Sequence, residues 1–197
     1  MKLIIKNTLI LLAITLVSGL LLAGVHDITA EPIKVAEENA KAAAFETVFP
    51  DADGFSDCKT DISAYVPENS VELGELQNAL DKDGNVIGWV MTLTSPKGYG
   101  GDIKIAVGIT KDGSLTGMTV ISMGETPGLG AKCTGRDFQS QFAGITAKNI
   151  TSTKTGKSAD NEIDAISGAT FTTTAIVQAV NAGLELAYEY LMNGGAA

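Results

Sequence analysis

Eighteen consecutive residues, Thr8 to Val25, carry no charge and are dominated by Leu, Ile, Val and Ala. That length is close to the ~20 residues with which an α-helix crosses a hydrocarbon core, so the run predicts a membrane span separate from whatever folds in water. A cleaved signal peptide shares the basic start, but its apolar part is usually about 7 to 15 residues and ends at a small-x-small site. Here Ile28-Thr29-Ala30 puts Ile where a small residue is favoured, and no cysteine follows the run as a lipid-anchor site. A retained signal-anchor helix is the better reading. Lys2 and Lys6 precede the run, whereas His26, Asp27 and Glu31 follow it, and an excess of basic residues marks the cytoplasmic side. The expected organisation is a cytoplasmic N-terminus over 1–7, a transmembrane helix over 8–25 and a linker over 26–33. An extracytoplasmic domain over 34–197 completes a chain that passes once through the cell (inner) membrane.

That outer domain carries nearly all of the 23 acidic residues, and the formal net charge of the chain is −9. Binding to nucleic acid relies on Lys and Arg to neutralise phosphates, so it is excluded. Metal chemistry has few ligands to draw on: one histidine, His26, sits at the end of the apolar run, and Cys58 and Cys133 lie far apart without CxxC or Cys/His spacing. No metal site is expected, and the two cysteines are left open between a disulfide and two free thiols. Asp51 to Asp57 gathers carboxylates, but its Gly54 is fourth and Ile62 twelfth, against the sixth-position Gly and twelfth-position Glu of a calcium-binding EF-hand. It reads as a polar surface loop.

Lys34 to Phe49 follows Pro32, is rich in strong helix formers, and puts Val35, Ala42, Phe45 and Phe49 on one helical face. It predicts a helix docked on the domain and ended by Pro50, with Thr29 to Pro32 as connector. From Val71 the texture becomes that of strands. Asp83-Gly84-Asn85 and Asp112-Gly113-Ser114 are hairpin signals between β-prone runs, and Ile103, Ile105, Val107 and Ile109 alternate with mostly polar or small residues. Four antiparallel strands in a meander are expected, with a short helical turn over Asp137 to Phe142. A long C-terminal helix over Phe171 to Met192 follows, with Ile176, Val180, Leu184, Ala187 and Leu191 on one stripe and Gly194-Gly195 as its stop. The fold class is α+β: an antiparallel meander packed with an N-terminal and a C-terminal helix, preceded by one transmembrane helix.

Two glycine-dense stretches, Lys97 to Gly101 and Gly124 to Gly130, interrupt this pattern. Glycine loses the most conformational entropy on folding, so ordering them needs compensation or a tight turn that demands them. The mouth of the last helix raises a second question, because Ser167-Gly168-Ala169-Thr170 is followed by Thr172, Thr173 and Thr174. An ordinary hydroxyl N-cap accounts for one hydroxyl. A phosphate seat accounts for the cluster, since unpaired N–H groups and the helix dipole favour an anion there.

Asp164-Ala165-Ile166-Ser167-Gly168-Ala169-Thr170 resembles the flavinylation motif Asp-x-x-(Ser/Thr)-Gly-Ala-Thr of the FMN-binding domain found in Rnf and Nqr respiratory complexes. Lys97 to Ile103 resembles that family's glycine turn, and Glu125 to Gly130 its Glu-Thr-Pro-Gly-Leu-Gly loop beside the flavin. Within the family the resemblance is greatest to the G subunit of the Rnf ion-translocating ferredoxin:NAD oxidoreductase; the C subunit of Nqr is similar and generally longer. The resemblance implies covalent FMN on Thr170 as a phosphothreonyl ester, installed by a flavin transferase using FAD. It further implies cofactor contacts from Ser167, Gly168, Ala169, Thr173, Glu125, Thr126, Gly128, Leu129, Tyr99 and Gly100, with Asp164 recognised by the transferase or holding the linkage. The function implied is an electron-transfer subunit of a translocase, partnered by the other subunits of a membrane complex, with no catalytic residue and no activity of its own. No GxGxxG opening a βαβ unit is present, so NAD is not expected to bind. A free-standing anchored flavin reductase module, or a non-redox binding domain in which Thr170 only caps the helix, stands as the alternative.

Overall fold

The computed structural model describes residues 1–62 and 65–192; the expected helix stop at Gly194-Gly195 lies outside them. Two compact units are present, Met1–Ala40 and Lys41–Ala197. Helix α1 spans Lys2–Val48 as one continuous helix with Pro32 inside it, which corrects the connector expected around that proline. The missing proline N–H deprives only the Ile28 carbonyl of its helical donor, in a stretch of helix that is exposed throughout. One such loss between two strong helix-forming segments does not break the run. The apolar part of α1 is long enough to cross a membrane and is wholly unburied.

The second unit is built on a five-stranded antiparallel sheet in the order β1-β2-β3-β4-β5: Gly54–Asp57, Glu72–Leu80, Val86–Gly98, Gly101–Thr110 and Leu115–Ser122. The meander from β2 to β5 agrees with the sequence pattern, whereas β1 corrects the loop expected over Asp51 to Asp57. Its four residues pair with Gln77 to Leu80, closing an edge that β2 would otherwise leave unpaired. Phe55 tilts against Phe45 with ring centroids 5.9 Å apart.

Period-2 alternation decides which face each strand residue serves. Trp89, Met91 and Leu93 on β3 face Ile109, Val107 and Ile105 on β4 in register, and all are buried in one cluster with Ile176, Val180 and Leu184. These last three belong to α3, Thr170–Leu186, whose predicted stripe is buried through Ala187 and Leu191. Beyond Leu186 the helix widens into a π-type turn over Ala187–Leu191. The opposite sheet face holds Ala79, Val90 and Ala106, covered by Ala44, Phe45, Val48 and Phe49 at the end of α1. That footprint differs from the predicted one: Val35 and Ala42 are exposed, because the docked face follows 44, 45, 48 and 49 at i, i+1, i+4 spacing.

After β5 the chain runs through a 3₁₀ turn, Gly130–Thr134, and α2, Arg136–Gln139. Strands β6, Thr151–Thr153, and β7, Glu162–Asp164, then pair in parallel; at three residues each, with Ile163 their one apolar side chain, they are too short for a periodicity argument. The β7 strand delivers the chain to the start of α3. The β3–β4 turn, the loop leaving β5 and the first turn of α3 meet at one end of the sheet.

Candidate functional site

A cleft of about 520 Å³ opens where those three segments meet, lined by Tyr99, Glu125, Thr126, Leu129, Gly130 and residues 168–172. Its walls are apolar at the rim. Among the described residues of the second unit only four large hydrophobic side chains are exposed, and Tyr99 (75%), Leu129 (48%) and Phe171 (71%) of this cleft are three of them. Exposed aromatic and aliphatic groups gathered at one concavity are the signature of a ligand site rather than of scattered surface residues.

The floor is the N-terminus of α3. Its N-cap residue is Ala169, which has no side chain with which to cap, so the N–H groups of the first turn lack the hydroxyl acceptor that a Ser or Thr would supply. The helical ladder starts only at Thr173, whose N–H donates to the Ala169 carbonyl at 3.1 Å. Ahead of it, Gly168 has φ +80, the left-handed conformation that glycine adopts without penalty. A Cβ there would also come within 3.3 Å of Leu129 Cδ2.

The hydroxyls at this mouth divide by use. Thr173 is fully buried; its Oγ1 donates to the Ala169 carbonyl at 3.0 Å and accepts from the Ile166 N–H at 3.1 Å. Thr172 is buried as well and donates to Glu125 Oε2 at 2.7 Å. Thr170 is exposed in the cleft, and its hydroxyl makes no protein hydrogen bond among the described residues. A hydroxyl at the first helical position, beside uncapped N–H groups, is placed for an anionic partner.

Glu125 is the one buried formal charge among the described residues, 6% exposed. Its Oε1 accepts the Gly100 N–H at 3.1 Å, Oε2 accepts the Thr172 hydroxyl, and its own N–H donates to Met123 Sδ at 3.2 Å. The carboxylate thus ties the β3–β4 turn to the helix mouth. Burial first, and the Glu125 charge second, push the neighbouring Cys133 thiol up to about 11. Cys58 and Cys133 are both free thiols.

Of the residues expected at a cofactor, the structure brings Tyr99, Glu125, Thr126, Leu129, Gly168, Ala169 and Thr170 into the cleft. Gly100 contributes from behind, through its N–H to Glu125. Gly128 is an exposed turn residue at φ +80 outside the lining, and Thr173 lies beneath the floor. Asp164 and Ser167 line an adjacent groove of about 440 Å³ with Lys132 and Gln141. There the Gln141 carboxamide clips the Asp164 backbone, accepting its N–H at 2.6 Å and donating to its carbonyl at 3.4 Å. Thr172, from the hydroxyl cluster, and Gly130, which closes the expected loop, also line the cleft, and Phe171 is the lining residue that sequence reasoning missed. Phe171 carried a signal, being a large apolar residue beside the motif threonine and off the buried stripe of α3.

The cleft fits FMN in kind: its volume is within the 300–1,000 Å³ typical of small-molecule sites, its rim suits a flat apolar ring system, and its floor suits a phosphate. The FMN-binding domain family profile matches residues 98–185, and the RnfG N-terminal region profile matches residues 1–48. The G subunit of the Na⁺-translocating ferredoxin:NAD⁺ oxidoreductase complex of Acetobacterium woodii is 34% identical over 191 residues, covering 94% of this chain and 92% of that one. The G subunit of the ion-translocating oxidoreductase complex of Methanosarcina acetivorans is 30% identical over 185 residues, covering 93% of this chain and 94% of its own. The crystal structure of NqrC from Shewanella oneidensis superposes with a TM-score of 0.49 at 22% identity, covering 70% of this chain and 67% of that one. The chain therefore belongs to the G-subunit family of ion-translocating oxidoreductase complexes, with an FMN-binding domain following an RnfG-type N-terminal region.

Proposed function

We propose that this chain is the electron-transfer subunit of a membrane-bound Rnf-type ferredoxin:NAD oxidoreductase and carries FMN as a phosphoester on the Thr170 hydroxyl. The observation that carries the assignment to Thr170 is the division of hydroxyls at the α3 mouth: Thr172 and Thr173 are buried and engaged, while Thr170 is exposed in the cleft without a protein partner among the described residues. In this reading α1 anchors the chain with Lys2 and Lys6 on the cytoplasmic side, and the FMN-binding domain lies outside. A covalent link retains there a cofactor that would otherwise be diluted away. Asp164 and Ser167, in the adjacent groove, are offered to the flavin transferase that installs it.

When bound, FMN supplies the electron acceptance and release; position and electrostatics come from this chain. The N–H groups at the start of α3, which have no side-chain cap, would hold the phosphate against the half positive charge of the helix end. Tyr99, Leu129 and Phe171, exposed at the rim, would shield the ring system from water, and the Thr126 hydroxyl would be available to a polar group on it. The other subunits of the complex deliver and remove the electrons.

Full-length protein co-expressed with a flavin transferase and run on a denaturing gel tests the reading. Flavin fluorescence that persists in the wild type and is absent from Thr170→Val is the expected result. A dark wild-type band, with an intact mass equal to the bare polypeptide, refutes the covalent assignment. Co-purification of multi-spanning membrane proteins separates a member of a complex from a free-standing reductase.

A further inference from the structure

Glu125 has a role that no flavin contact is needed to explain. It is buried with no cation beside it: the one ion pair among the described residues joins Lys41 and Glu75. Its charge is met instead by two hydrogen-bond donors on separate segments, the Gly100 N–H and the Thr172 hydroxyl, and by the positive end of α3. The surrounding sequence is emptied of side chains to admit it. A Cβ on Gly98 would first overlap the Gly101 carbonyl across the turn and would also lie 2.8 Å from Glu125 Oε1, while one on Gly130 would overlap Oε2 and lie 2.6 Å from Thr172 Oγ1. Between those glycines the β3–β4 turn and the β5 loop touch backbone to backbone, so that a Cβ on Gly100 would lie 2.6 Å from the Gly124 carbonyl carbon.

We propose that Glu125 is a positioning residue with two linked effects: it latches the cleft into shape before any cofactor arrives, and its charge in the cleft wall lowers the potential of the flavin later held there. The second effect rests on the FMN reading above; the first does not. Electron uptake adds negative charge at the cofactor, and a fixed carboxylate in the same low-dielectric wall opposes it. A group used only for shape would leave the potential unmoved when replaced by its isostere.

Two variants of the full-length protein separate charge from shape. In unflavinylated protein made without the transferase, Glu125→Ala removes the acceptor of the Gly100 amide, and hydrogen exchange at Gly100 is expected to quicken at least about tenfold. In flavinylated protein, Glu125→Gln keeps the shape and removes the charge. Its midpoint potential, read by spectroelectrochemistry, is expected to rise by at least a tenfold change in the reduced-to-oxidised ratio, about 30 mV for a two-electron couple. Thr172→Val guards against a Glu125 variant that does not fold. By stripping one donor from the carboxylate it is expected to lower the potential, a sign that mere loosening of the cleft does not predict. Unchanged Gly100 exchange in Glu125→Ala overturns the latch, and an unchanged midpoint in Glu125→Gln overturns the tuning. If wild-type protein carries no flavin, the FMN reading and the tuning fall together, and the exchange arm decides the latch by itself.

Discussion

Gly130→Ala is the perturbation whose cost the structure defines most closely. The added methyl has no free volume: it would overlap Glu125 Oε2, approach Thr172 Oγ1 to 2.6 Å and Glu125 Cβ to 2.9 Å. Relief requires the carboxylate and the hydroxyl to part. Losing a hydrogen bond to a charged group costs about 1.5–3 kcal/mol, and residual overpacking adds about 1–3 kcal/mol. The smaller entropy of the unfolded alanine chain returns about 0.4–1 kcal/mol. A net loss of about 3 kcal/mol lowers Tm by roughly 6–12 °C in a chain of this size. Trp89 is the single tryptophan and lies buried in the main core, so its fluorescence follows unfolding of detergent-solubilised, unflavinylated protein. Gly128→Ala is the internal control: that glycine has φ +80, but a Cβ added to it would meet nothing within 4 Å, and left-handed strain alone costs about 1–2 kcal/mol. Equal Tm losses in the two variants would refute the steric argument and, with it, the view that Gly130 exists to admit the carboxylate.

Thr170→Val is expected to remove covalent flavin while changing stability by no more than about 0.5 kcal/mol, because an exposed hydroxyl without a protein partner contributes little to folding; denaturant unfolding of unflavinylated protein checks the second half. Phe171→Ala, at a side chain 71% exposed, is likewise expected within about 0.5 kcal/mol of wild type, whereas iodide should quench the flavin emission of the loaded variant more steeply. Cys133 supplies a pH prediction. A thiol raised to about 11 in the folded state favours folding below its unfolded value near 8.5, and that contribution fades as pH climbs from there through about 11. Wild type should therefore lose about 2.5 kcal/mol more than Cys133→Ala between pH 8.5 and 11 in urea titrations. Native-state labelling with a thiol reagent should mark Cys58, which is half-buried, and leave Cys133 unreacted.

The meander and the last helix were legible because both rest on strict periodicity. Alternation from Trp89 to Leu93 and from Ile103 to Ile109 assigns one sheet face to α3, and the 3.6-residue stripe of α3 is long enough to be unambiguous. What escaped was set by tertiary context. Phe55 reads as an isolated apolar residue in an acidic loop until Phe45 and the free edge of β2 give that segment a partner. Pro32 reads as a break because local propensity counts its missing donor, but not the helix on either side that carries across it.

The site was legible for a different reason, and its errors follow from the same cause. Motif resemblance names a contiguous string, and a contiguous string at a helix start points its residues in different directions. Successive positions turn by about 100°, so Thr170, Thr172 and Thr173 end as a cleft hydroxyl, a donor to Glu125 and a buried backbone clip. No count of hydroxyls distinguishes these fates. The glycines behave in the opposite way: read singly, Gly98, Gly100 and Gly130 are turn residues, yet in space they surround one carboxylate. Their entropic cost on ordering is offset there, because a buried charge without a cation is tolerable only where donors reach it closely. The glycine-dense stretches and the lone buried acid are thus a single feature, divided in sequence between two strand ends and assembled only when β3, β4 and β5 bring those ends beside the mouth of α3.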